Sequence, residues 1–421
     1  MIIFLTTVHL AVLFSIARWV GARAELSLRS FFWPALIAKL LAGFALGLLY
    51  KFYYTSGDTF TFFDLARDQS RLFHIDFRAY LDYLWTDAHE EYKGAGRSAF
   101  FVKTISLFSV VSAGNYWLVS IWFSFLSFLG CLYLAGTISK IIPRSTTAAS
   151  LSLFFFPSVV FWGSGVIKES IALGSLMFVA GICLKLLTGR IPGWGEVLTG
   201  IVAFWMAINL KYYWVAVFVP VTASSLAVRY ISARVAMRTA VKCVLWTGIF
   251  GMMALIASFS HPNFYLERFL EVVVENNHAF EAVSRPEDMI HFDSLEPTWS
   301  GVAASAPLAL MAGLFRPMPW QAGNLIQLAA SIENLVVLIL VATGCLNLRN
   351  LFNGRFRMAG FSIIIYSGIL CIFLALSTPN LGSLARYKIG FMPLLLFLVC
   401  YRNRLIDWAA FYLKRRPGRS T

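Results

Sequence analysis

Three features of the sequence predict an all-α protein, a polytopic bundle of transmembrane helices: its low charge content, its recurring apolar runs, and the sorting of its cations between alternate connections. Hydrophobic residues make up 59% of the 421-residue chain and charged residues only 13%. A soluble domain carries about twice that charge fraction. Mean hydropathy is +0.71. Apolar runs of about 18–22 residues recur along the chain, each long enough to cross a hydrocarbon layer of roughly 30 Å as a helix. The helix follows because backbone polar groups in lipid must be satisfied within their own segment. The runs are continuous rather than alternating, which excludes a barrel.

Eleven spans are expected, near 2–20, 32–52, 116–138, 147–163, 168–188, 196–210, 212–230, 240–259, 324–347, 358–377 and 387–402, making one transmembrane domain over 1–421. The charges test that division. The net charge of +14 would suit a nucleic-acid partner if it lay on one face. Instead, one set of alternate connections, with the C-terminal tail, holds 20 basic residues against three acidic ones, Glu25, Glu196 and Asp407. The opposite set holds 14 basic and 18 acidic residues, and Lys39 lies inside the second span. By the positive-inside rule the N-terminus is expected outside and the C-terminus inside. The basic excess is then a topology signal and an attraction to anionic lipid rather than a nucleic-acid footprint.

Two outer loops are long, 53–115 and 260–323, and both are acidic. Each ends in a short apolar stretch, 99–112 and 302–315, expected to form an interfacial or re-entrant helix. Met1 to Thr7 has no basic region, which argues against a cleaved signal peptide. The six cysteines (Cys131, Cys183, Cys243, Cys345, Cys371, Cys400) fall in or beside apolar runs without metal-site spacing and read as small hydrophobes. His74, His89, His261, His278 and His291 fall in outer loops, also without metal spacing. There is no phosphate-binding GxxxxGK[ST] or GxGxxG, and no GxSxG elbow. No internal repeat is visible, which disfavours transporters built from two similar halves.

Four segments hold the residues suited to chemistry. Ser56-Gly57-Asp58-Thr59 follows the second span, so Asp58 sits at head-group level, where a carboxylate can accept a proton from an attacking hydroxyl. The same residues also suit a helix cap or turn. Asp64 and Asp68, flanked by Arg67 and Arg71, read as a solvated, self-paired helix face. In the run from Pro157 to Glu169, Pro157, Gly163 and Gly165 break the helix ahead of Lys168-Glu169. These two either snorkel to the interface, or act as a phosphate contact (Lys168) with its orienting partner (Glu169). Arg316-Pro317-Met318-Pro319-Trp320 holds Arg316 at the head-group level, as a phosphate contact or an aromatic-belt anchor. Beyond it, Glu333 lies inside a span and needs a partner, for which Lys168 is one candidate. In the last outer turn Arg386, Tyr387 and Lys388 precede Pro393; two cations entering from the outer side suit an anionic lipid phosphate.

The sequence resembles the GT-C superfamily of polyprenyl-phosphate-sugar-dependent membrane glycosyltransferases. The resemblance rests on Gly57-Asp58, on Pro-Ser-x-x-Phe-Trp-x-Ser-Gly-x-x-Lys-Glu at 157–169, on Arg-Pro-x-Pro-Trp at 316–320 as in a bacterial subgroup, and on Arg386-Tyr387-Lys388. It implies that Asp58 is the catalytic base and that Lys168, Arg316, Arg386 and Lys388 hold the departing lipid phosphate, with inversion at the sugar. The expected location is the bacterial inner membrane, with the active face extracytoplasmic. The expected partners are a polyprenyl-phosphate-linked sugar, a lipid-linked or glycan acceptor and membrane lipid. The chain departs from the family in carrying a span before the catalytic loop. It also lacks a clean Asp-x-Asp or Glu-x-Asp, so no cofactor is expected and the question of a divalent metal stays open. Two other functions use the same features: a polysaccharide polymerase or ligase with lipid pyrophosphate donors, and a non-enzymatic transporter of lipid-linked sugars.

Overall fold

A computed structural model describes residues 2–54, 58–86, 96–259, 262–345 and 356–408. The described residues are helical throughout apart from connections, with one isolated antiparallel bridge between Met289 and Asn380. Eight of their helices are long and apolar enough to cross a membrane, and a bent pair makes a ninth when taken as one span. The helices cluster into two compact units. The first comprises Met1–Lys140, Leu153–Ile182 and Pro192–Tyr212; the second comprises Ile141–Ser152, Cys183–Ile191 and the chain from Tyr213 onward.

In the first unit, α1 (Ile2–Arg23) and α2 (Arg29–Phe52) are the first two expected spans. The helices of the first long connection, α3 (Asp58–Ile75), α4 (Phe77–Trp85) and α5 (Gly96–Val111), follow. α5, at 16 residues, is the first of the two short apolar helices expected at the loop ends. On α3 the self-paired face forms as expected, with Arg67 3.1 Å from Asp64 and Arg71 3.4 Å from Asp68, all well exposed.

The long apolar helix α6 (Tyr116–Ile141) packs so closely on a later helix, α9 (Lys168–Thr188), that a Cβ built on Gly130 would fall 1.8 Å from the Gly174 carbonyl oxygen. Small residues let membrane helices approach this closely. Gly130→Ala is therefore expected to destabilise the protein by about 1–3 kcal/mol, the usual cost of overpacking a well-filled core. The melting midpoint in detergent measures it, and an unchanged midpoint would mean the contact is looser than described.

The expected span 147–163 is not one helix. A short α7 (Thr146–Ser150) passes into a π-type turn, Leu151–Phe155, and a second short helix, α8 (Pro157–Trp162), starts at the proline. The cause is Pro157: it has no N–H to donate and drives Phe156 to an extended conformation (φ −72°, ψ 121°).

The expected spans 196–210 and 212–230 form one element, α10 (Trp194–Ser232), of 39 residues, broken by non-helical angles at Lys211 (φ −141°, ψ 61°). At about 1.5 Å per residue its length is enough for two crossings.

The second unit contains α11 (Thr239–Ser258), α12 (Leu266–Val283) in the second long connection, α13 (Trp299–Phe315), α14 (Leu325–Cys345) and α15 (Arg357–Ser377). α13 is the second short apolar helix expected at a loop end. The last expected span, 387–402, is replaced by a bent pair. α16 (Leu381–Tyr387) runs through a turn at Lys388–Gly390 into α17 (Met392–Cys400), with a 71° bend between them. Pro393, in the first turn of α17, suits a new helix start and not a helix interior.

Candidate functional site

In the first unit, the segment between α8 and α9 forms the centre of a polar cluster. Gly163 to Ile167 are buried and non-helical, so their backbone groups need partners from elsewhere in the protein. Gly165, at φ +75°, takes a conformation that glycine adopts without strain. Its N–H donates to Ser124 Oγ (2.9 Å), and its carbonyl accepts from Ser170 Oγ (2.8 Å). Lys39, buried in α2, donates to the Val159 carbonyl at 3.2 Å, near the end of α8. Thr59, fully buried, donates to the Val166 carbonyl at 2.6 Å and lies 2.9 Å from the Tyr116 hydroxyl.

That Thr59 bond joins two segments singled out in the sequence. Asp58 is the first residue of α3, and its neighbour is anchored two residues before Lys168. The Asp58 side chain itself lies outside the described residues. Lys168 is half-buried; its ammonium donates to Ser98 Oγ at 2.7 Å and lies 4.5 Å from the centroid of the Phe62 ring.

Glu169 has a partner that the sequence did not suggest, Lys211. Its Oε1 accepts from Lys211 Nζ at 2.5 Å, and both side chains are buried (0% and 5% exposed). Only a close ionic partner makes such burial tolerable in an apolar interior. Lys211 falls between the expected spans 196–210 and 212–230. The available signal was a single cation in an otherwise apolar run of about 20 residues, which usually marks a functional or paired charge.

The second unit brings together the other two predicted segments. Lys388, buried in the turn between α16 and α17, donates to Asn334 Oδ1 at 2.6 Å. Asn334 Nδ2 in turn donates to the Pro317 carbonyl at 3.0 Å. Asn334, a fixed double-ended side chain, thus ties the Arg316-Pro317 segment to the Arg386-Tyr387-Lys388 segment. Glu333, next to it, acts electrostatically on Lys388, so Lys388 is a charge partner of Glu333 within the second unit. Lys388 is thus a buried tie between helices through Asn334.

Arg316 caps α13 and remains partly exposed; its Nε donates to Gln321 Oε1 (3.2 Å), which also accepts from the Met318 N–H (3.0 Å). Partial burial lowers the Arg316 pKa from its ordinary value, yet a guanidinium stays charged at neutral pH. Arg386 and Tyr387, at the end of α16, are half-buried, with the Arg386 guanidinium carbon 5.9 Å from the centroid of the Tyr387 ring. Among the described residues no three His, Cys, Asp or Glu side chains are grouped to hold a metal ion.

No family model, curated protein or solved structure matches this chain. The class that fold and clusters define is an all-helical protein with membrane-spanning character, carrying buried and half-buried cations beside helix breaks.

Proposed function

We propose that the protein is a membrane glycosyltransferase that moves a sugar from a polyprenyl-phosphate donor to a lipid-linked or polysaccharide acceptor on the extracytoplasmic face of a bacterial inner membrane. The supporting observation is the Thr59–Val166 bond, which draws the start of α3, where Asp58 lies, to the break before Lys168. A carboxylate and a cation from distant parts of the chain are what such a transfer requires. In this reading Asp58 takes the proton of the acceptor hydroxyl as its oxygen attacks the anomeric carbon, while the bond from that carbon to the lipid phosphate breaks. The cations that stabilise the departing phosphate, whose developing charge is the largest electrostatic demand of the reaction, are drawn from Lys168, Arg316, Arg386 and Lys388.

Purified protein given a labelled polyprenyl-phosphate sugar is expected to release the sugar to acceptor or water. Silence across a donor panel, with normal folding, would overturn this reading.

One observation favours a transporter of lipid-linked sugars instead: the buried Lys211–Glu169 pair at a break in α10, since broken helices with buried charge line transport pathways. Asp58→Asn separates the two readings, because it stops transfer and leaves transport intact.

A further inference from the structure

The outer loop of the second unit contains a pocket of about 150 Å³, below the roughly 300–1,000 Å³ of sites for drug-sized ligands, so it has room for one small ring at most. The C-terminal half of α12 forms one wall with Asn277, His278 and Glu281, and the following loop forms the other with His291, Phe292 and Asp293. Among the described residues no Lys or Arg lines it.

We infer that this pocket binds a neutral saccharide unit, the acceptor's hydroxyl-bearing ring, next to the segment that carries Arg386. The inference rests on the glycosyltransferase reading for the word acceptor, but the pocket's chemistry is independent of it. Carboxylates, imidazoles and a carboxamide are planar groups whose paired acceptor and donor positions match adjacent ring hydroxyls. The aromatic face of Phe292 suits the apolar C–H side of a sugar ring. The described lining, with two carboxylates and no Lys or Arg, disfavours a phosphate or uronate.

The pocket is also held in shape. Asn277 is nine-tenths buried, and its Nδ2 donates to the Leu376 carbonyl at 2.6 Å, leaving Oδ1 as its remaining acceptor. His278 Nδ1 lies 3.3 Å from Glu281 Oε2. On the opposite wall, Met289 bridges Asn380 and the Ile290 N–H donates to the Pro379 carbonyl at 3.0 Å. Both walls are therefore bonded to the turn 376–380, and Asn380 caps α16, at whose end Arg386 sits. A ring seated in the pocket would be registered against the same helix that presents Arg386.

The test is saturation-transfer NMR on the full-length protein in detergent, with methyl glycosides of a hexose, an N-acetylhexosamine and a uronic acid as probes. A neutral glycoside should receive saturation and protect 277–295 from backbone hydrogen exchange. Glu281→Gln combined with Asp293→Asn should weaken that binding at least tenfold, while Asp68→Asn, on the solvated face of α3, should leave it unchanged. No signal from either neutral probe, equal binding by the double variant, or a preference for the uronate would each overturn the inference. Saccharide binding without donor turnover would sink the transferase reading and leave the pocket standing; turnover without saccharide binding would do the reverse.

Discussion

Lys211→Met is expected to destabilise the protein by about 3–5 kcal/mol, because removing one member of a buried ion pair leaves the other charge buried and uncompensated. Glu169→Gln should do nearly as much, stranding the Lys211 ammonium. The two side chains are 5% and 0% exposed and 2.5 Å apart, so solvent cannot take over the lost interaction. The double replacement, Lys211→Met with Glu169→Leu, should recover most of the loss, since a well-packed apolar pair of similar volume often matches or exceeds a buried ion pair. Thermal or denaturant unfolding in detergent reads all three. Singles that unfold like the wild type would mean that the pair is hydrated and that its burial has been misjudged. A double variant no better than the singles would put the energy in packing and not in charge.

The second large effect is on turnover. On the proposed function, Arg386→Ala should slow sugar transfer about 10²-fold, the usual consequence of losing one preorganised contact to a developing anion. Arg316→Ala should do the same. In each case the loss should fall on kcat more than on KM, because the contact strengthens as the phosphate departs. Arg→Lys at either position should restore only part, since it keeps the charge and loses the planar fork. Lys388→Met should behave differently. Lys388 is buried and committed to Asn334, so its loss should appear first as a lower melting midpoint and a loosened tie between the Arg316 and Arg386 segments. Rates within twofold of wild type for both alanine variants would remove these arginines from the reaction. Transfer from the polyprenyl-phosphate sugar, measured with normally folded variants, decides it.

Much of the architecture was legible because it rests on local and additive properties. Apolar length and charge sorting do not depend on which helices meet, so the long spans of α1, α2, α6, α9, α11, α14 and α15 could be placed from composition alone. The acid–base ladder on α3 was equally legible, since partners three residues apart on a helix find each other without tertiary help. The breaks were harder. Pro157 and Pro393 were visible, but whether a proline kinks a span or ends it depends on who satisfies the freed backbone groups. At the neighbouring glycine break Ser124, Ser170 and Thr59 satisfy the backbone of Gly165 and Val166, and none of them is near the break in sequence except Ser170.

The sequence by itself determined a membrane-spanning, all-helical class and the four segments where charge and helix breaks coincide, because hydropathy and backbone geometry act residue by residue. Only the tertiary structure decided who pairs with whom: Glu169 with Lys211, Asn334 with both Lys388 and Pro317, and Thr59 with Val166. A buried charge or carbonyl takes whichever partner packing brings within about 3 Å, and that choice depends on contacts between segments tens to a hundred residues apart.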